Sequence, residues 1–324
     1  MTNDQFDIPL LYLVFNRPEH TRRSFEVIRA HRPKQLFVAA DGPRADVPSD
    51  RARTEEVRRI ASAVDWPCAF SALFRSENLG SRRGIPLAVE WFFKSVPFGI
   101  IIEDDCLATD DFFDFCRYAL HRFERNRDVA SISGTNFHAA YGQQFTGTTS
   151  YYFSRYSHTW GWATWRDRWF SLAGINFTEN PDEHLRTCFA NAQLQSPISR
   201  WYWRRIFYGR VAKPVPNWDY RWLFSVWHSN KLSIIPQSNL VTNIGHDAYG
   251  TNTRDPTSPF SHLPLHALSR PYLDPLEFVR DREADDQYET KIVIRKMVVE
   301  HAVKKHLLNV PMSFLKRNNY RSNP

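Results

Sequence analysis

Three consecutive carboxylates, Glu103-Asp104-Asp105, follow the apolar run Ile100-Ile101-Ile102. Like charges repel and a buried strand is dry, so acids at its end are costly unless a cation relieves them. Residues two apart share a face of extended chain, which predicts Glu103 and Asp105 on one side and Asp104 on the other. One side then serves a metal while the other hydrogen-bonds a ligand hydroxyl. Hard oxygen donors suit magnesium or manganese, ions that commonly share their coordination between a carboxylate and ligand phosphates. The competing reading is a solvated strand end beside a helix start; three acids after three isoleucines favour the ligand. Arg82 and Arg83 lie in Asn78-Leu79-Gly80-Ser81-Arg82-Arg83-Gly84. A Gly-bracketed loop before a helix brings backbone N–H groups and guanidinium forks to phosphate, although exposed arginines on a surface loop look the same in sequence.

These groups need a frame. Strands are expected at Pro9–Phe15, Leu36–Ala40, Cys68–Phe74 and Gly99–Ile102, and helices from Pro18 to about His31, over Arg51–Val64 and over Pro86–Val96. Pro18 suits a helix first turn. A further helix carries Phe112, Phe115, Cys116, Ala119, Leu120 and Phe123 at helical spacing. Asp110 and Asp111 occupy its first turn, where the dipole favours negative charge. Such alternation predicts an α/β fold, a Rossmann-like, mostly parallel sheet flanked by helices, with ligands beyond the C-terminal strand ends. From about Thr146 onward the alternation gives way to aromatic sequence: nine of the eleven tryptophans lie there, and only Trp66 and Trp91 lie outside. Most large indoles pack, while an exposed one stacks on sugar faces.

The stretch Ile100–Cys116, IIIEDDCLATDDFFDFC, resembles the acidic metal-binding motif and following helix of GT-A glycosyltransferases, most closely the N-acetylglucosaminyltransferase I type. The opening IPLLYLVFNRPEHTRRSFEVIRAHRP is similar to that type's first strand and Arg-rich helix. Asp41 after the second strand, Gly161-Trp162 and Trp218-Asp219 fall at matching places. The likeness covers roughly the first 135 residues, thins towards His246 and is absent from the tail. It implies the GT-A fold, with residues 1–135 as a nucleotide-sugar-binding half, 136–290 as the acceptor-binding and catalytic half of the same domain, and 291–324 as a tail.

By resemblance, the reaction moves a sugar from a nucleoside diphosphate donor, uridine favoured, to a hydroxyl of a glycan or lipid-linked glycan, with inversion. A divalent cation, manganese or magnesium, would sit on the diphosphate. Asp105 would ligate it, Asp104 would meet the ribose, Glu103 the donor sugar or metal-bound water, and Asp41 the base. Asp219 would be the general base. It also suits an N-cap of a helix over Tyr220–Ser229, and the two roles coexist. Asp247 is the rival base and His246 an additional metal ligand. Trp162 and Trp218 would contact substrate, and Asn136, beside His138, would line the donor site. A sugar-phosphate nucleotidyltransferase shares the strand plan, but Phe15-Asn16-Arg17-Pro18 stands where its Gly-rich opening loop belongs.

The chain has 324 residues, 48 of them Phe, Trp or Tyr, too much apolar bulk to remain unfolded. Its net charge of +7 is confined to Lys291–Pro324, where eight basic residues face Glu300 alone, so residues 1–290 are balanced at 34 of each sign. A nucleic-acid binder should carry its excess among exposed aromatics in the body, which argues against that partner and leaves a non-catalytic carbohydrate-binding protein as the alternative of another class. The tail has an apolar stripe (Ile294, Val298, Ala302, Val303) opposite Lys296, Lys304 and Lys305, which fits docking on its own domain or peripheral contact with an anionic membrane. The longest N-terminal apolar run, Ile8–Phe15, follows Asp4 and Asp7, and the cysteines form no C-x-x-C pair. The expected location is the cytoplasm, or the inner face of a bacterial membrane, and the expected setting is surface polysaccharide or glycolipid assembly.

Overall fold

A computed structural model of the chain describes residues 5–142, 148–175, 177–213, 217–247, 255 and 257–294. The first half alternates strand and helix: β1 (Leu10–Val14), α1 (Pro18–His31), β2 (Gln35–Ala40), α2 (Asp50–Ala61), β3 (Ala69–Phe74), α3 (Ser81–Ser95) and β4 (Phe98–Glu103). A short β5 (Cys106–Ala108), α4 (Asp110–Arg122), β6 (Val129–Ser133), β7 (Tyr151–Ser154) and β8 (Trp162–Trp165) follow. Helices α5 (Arg166–Ala173), α6 (Pro181–Asn191), α7 (Pro197–Arg210) and α8 (Trp218–His228) precede β9 (Leu232–Pro236), β10 (Val241–Asn243) and α9 (Arg282–Tyr288).

Eight strands form one mostly parallel sheet in the order β3-β2-β1-β4-β8-β6-β9-β7. The first four run parallel, β8 runs antiparallel to both its neighbours, and β7 is antiparallel to β9. The α/β, Rossmann-like expectation is therefore met.

Alternation along each strand splits the apolar residues between two layers. Leu10, Tyr12 and Val14 of β1 face Phe25 and Ile28 of α1, Val57 of α2 and the phenylalanines of α4. Leu11 and Leu13 face the opposite way, towards Val89, Phe92 and Phe93 of α3 and the aromatic helices α5–α8. Buried on both sides, strands of this kind read as continuous hydrophobic runs. The Trp-rich segment is thus mainly the second layer's core.

Helix α3 starts five residues before the expected Pro86, because Gly80 takes the left-handed φ of 70° that turns the chain into it. The Gly80 carbonyl then accepts from the Gly84 N–H at 2.7 Å. Pro86 sits inside the helix and merely removes one backbone donor. Arg82 and Arg83 are therefore in a helical first turn, not a loop.

At the other end of the described chain, Glu289–Ile294 form a π-helical turn with Val293 buried in the second layer. The remainder of the expected tail helix, 295–324, lies outside the described residues. Among the described residues no helix is long and apolar enough to cross a membrane.

Candidate functional site

A cavity of about 470 Å3 opens beyond the C-terminal ends of β1, β2 and β4. That is where a parallel sheet leaves a crevice for ligands. It is lined by Asp41, Glu103, Asp104, Asp105 and Asp219 and by five arginines, Arg17, Arg44, Arg75, Arg82 and Arg210.

The acidic end is built by strand pairing. Leu13 of β1 lies opposite Glu103 of β4, and the Asp104 N–H donates to the Leu13 carbonyl at 2.9 Å. Strand β4 stops at Glu103, and Asp104 and Asp105 enter a turn. The expected alternation therefore ends one residue early. Instead of facing opposite ways, the two aspartates share a cation: Arg17 Nη1 donates to Asp105 Oδ2 at 2.9 Å and Nη2 to Asp104 Oδ1. Asp104 Oδ2 also accepts from the Phe15 N–H at 3.2 Å. Burial opposes the charge on Arg17, but Asp104 and Asp105 more than offset it and hold the guanidinium protonated above its ordinary range. Burial, and then Asp105, push the Glu103 carboxyl up to about 8, with Asp219 among the acids that contribute. Burial likewise raises Asp104, with Arg17 pulling the other way.

Arg17 was missing from the expected site. Its only sequence signal is its place just past a strand end before Pro18, and its meaning depends on β1 lying beside β4. Arg44 was also missed. Its Nη2 donates to Asp50 Oδ1 at 2.9 Å, and Asn16 Nδ2 reaches the same oxygen at 2.7 Å.

Asp41 lines the cavity as expected, and its carboxylate accepts from the Gly80 N–H at 2.8 Å and the Leu79 N–H at 3.1 Å. It therefore also fixes the turn that launches α3. Arg82 reaches the cavity from that turn, whereas Arg83 does not line it. Arg75, Arg82 and Arg210 make no ion pair among the described residues, while the acids cluster around Arg17.

Asp219 lies in the first turn of α8 and not at its N-cap, which is Asn217. There the helix dipole favours its ionised form. Trp218 lines the cavity beside it. Trp162 does not: it is 1% exposed on β8 and packs against Trp169, Trp218 and Trp222. Its place on a central strand with helices over that face makes it core. Asn136 does not line the cavity either: its Nδ2 donates to the Pro236 and Gln237 carbonyls at 2.9 and 3.1 Å and its Oδ1 accepts from the His138 N–H. It ties β6 to the turn after β9. His138 is buried beside it.

The antiparallel pair of β10 with β5 carries the chain after Asn243 back to the acids, and the Ile244 N–H donates to the Asp105 carbonyl at 2.8 Å. Gly245 is there because nothing larger fits. A Cβ on it would lie 2.5 Å from Asp105 Oδ2 and 2.7 Å from Arg17 Nη1. His246 is buried, and its imidazole interacts with the Asp255 backbone. Burial lowers its pKa, while the hydrogen bond with the Asp255 backbone and the charge of Asp105 pull it upward. Asp247 is not among the residues lining the cavity, and its Oδ2 lies 3.1 Å from His20 Nε2.

Among the described residues no group of three or more His, Cys, Asp or Glu is arranged to hold a metal ion. Magnesium or manganese needs only one or two protein donors when ligand phosphates and water complete its shell. Asp105 and the His246 imidazole, which feels the Asp105 charge, are donors of the kind that requirement needs. No family model matches the chain, and no curated protein matches it.

Proposed function

We propose that the chain is a metal-dependent GT-A glycosyltransferase, resembling the N-acetylglucosaminyltransferase I type, that moves a sugar from a nucleoside diphosphate to an acceptor hydroxyl. One observation carries this reading. A single cavity holds the acidic turn around Arg17, three guanidinium groups (Arg75, Arg82, Arg210) without ion pairs among the described residues, and Asp219 at a helix start. Diphosphate oxygens are the complement of those three cations.

In this reading Asp219 takes the proton of the acceptor hydroxyl as its oxygen bonds to the anomeric carbon. The bond from that carbon to the diphosphate oxygen breaks, and its electron pair leaves with the nucleoside diphosphate. Arg75, Arg82 and Arg210 stabilise the charge that develops there. Glu103 meets the donor sugar or metal-bound water, and Asp104 is held by Arg17 for the ribose. Asp105 with the His246 imidazole would hold a manganese or magnesium ion, which supplies further charge stabilisation on the diphosphate. Asp41 stands at the base, uridine being the favoured nucleotide. The acceptor is a glycan or lipid-linked glycan.

Calorimetry with uridine and guanosine diphosphates, with and without manganese, tests the donor site. Wild type should bind one of them, and Asp105→Ala should lose only the manganese-dependent part. Binding of neither nucleotide would overturn the reading. Asp219→Asn should abolish transfer while leaving nucleotide affinity intact; retained turnover would remove Asp219 from the base role.

A further inference from the structure

Beside the cavity, and sharing Arg82 and Trp218 with it, lies a second hollow of about 310 Å3 between α3, α5 and α8. Helix α8 lines it with Trp218, Trp222 and Ser225, which fall on one helical face, and presents Asp219 to the first cavity from the next position along. A molecule whose hydroxyl reaches Asp219 therefore extends over this hollow.

Its chemistry is mixed. The wall carries three indoles and two leucines, with Leu87 42% exposed at the α3 side, beside Arg82, Arg83 and Arg221, the last of which donates from Nη2 to the Ala173 carbonyl at 2.6 Å. At its floor, Ser225 is buried with a hydroxyl that has no hydrogen-bond partner among the described residues. Arg82 and Arg83 are exposed, and neither makes an ion pair among the described residues. Both occupy the first turn of α3, which contains no acid. Cations at a helix N-terminus oppose the macrodipole, so this arrangement costs stability and supplies an unneutralised positive edge.

We propose that this hollow is the acceptor subsite, and that it takes a sugar bearing an anionic group. This rests on the glycosyltransferase reading above. The apolar face of the ring lies against Trp218 and Leu87, and the anionic group, a carboxylate or a phosphate ester, is held by Arg83. A neutral sugar leaves the guanidinium unanswered, and a plain alkyl chain would leave the Ser225 end of the hollow without a polar partner.

Calorimetry on the full chain with uridine diphosphate and manganese present is the test, using phenyl β-D-glucuronide, phenyl β-D-glucoside 6-phosphate and neutral phenyl β-D-glucoside. Wild type should bind at least one charged glycoside about ten-fold more tightly than the neutral one, the value of one charge-assisted contact. The better of the two identifies the anion. Arg83→Gln and Leu87→Asp, both at exposed positions, should each erase that preference while nucleotide affinity stays unchanged. Equal binding of charged and neutral glycosides, or a preference that survives Arg83→Gln, would overturn the proposal, as would decyl phosphate binding more tightly than every glycoside. Nucleotide binding in the same samples separates the failures. If the nucleotide binds without glycoside discrimination, only the acceptor inference falls. If an Arg83-dependent preference appears without nucleotide binding, the acidic-sugar site stands and the transferase reading falls.

Discussion

Replacing Arg17 by glutamine removes the guanidinium that Asp104 and Asp105 share, and the cost follows from their burial. The side chains of Arg17, Asp104 and Asp105 are 11%, 3% and 12% exposed, so water replaces little of the lost interaction. Removing one partner of a buried ion pair costs about 3–5 kcal/mol. The loss has a ceiling, because the protein can protonate one aspartate instead. From an unfolded pKa of about 3.9, that proton costs about 5 kcal/mol at pH 7.5 and about 1.5 kcal/mol at pH 5. Urea unfolding of Arg17→Gln should therefore show a loss of about 3–5 kcal/mol at pH 7.5 that shrinks to roughly 1.5 kcal/mol at pH 5. Adding Asp104→Asn to Arg17→Gln should restore part of the stability at pH 7.5, since one uncompensated charge is then gone. A loss under about 1 kcal/mol, or one of equal size at both pH values, would refute the buried-charge account of this turn.

Gly245→Ala drives a methyl into Asp105 and Arg17, and should weaken manganese-dependent nucleotide binding at least about ten-fold by calorimetry while leaving the manganese-independent part in place. His158 is buried and its pKa is lowered to about 3, first by burial and then by His138. A depressed histidine stabilises the fold fully above its unfolded pKa of about 6.5 and loses that contribution as pH falls towards the folded value. Unfolding free energy should thus drop by about 2 kcal/mol between pH 7.5 and pH 5 from this residue, and His158→Gln should flatten that slope. For the basic tail, a chain ending at Ile294 keeps Val293 in the core and should float less with anionic liposomes than the full chain; equal flotation would reject membrane contact.

The periodicity of apolar residues was enough to read the α/β frame, because strands covered on both faces must be hydrophobic throughout and helices covered on one face must repeat every three to four residues. The cost of three adjacent acids was equally legible, since Glu103, Asp104 and Asp105 are neighbours in the chain. What answers that cost was not. Arg17 comes from 87 and 88 residues away, and only the pairing of β1 with β4 brings it to the turn. Nor does sequence distinguish Trp162, on a central strand under helices, from Trp218 at the mouth of the cavity, because both are tryptophans beside matching neighbours. The partners of Asn136 and Asp247 were illegible for the same reason: they lie on distant segments, and hydrogen bonds are short-range and directional. Local patterning is written in residues close along the chain. Charge balance, exposure and the convergence of Asp105 with His246 depend on which strands lie side by side, and that is decided only when the sheet closes.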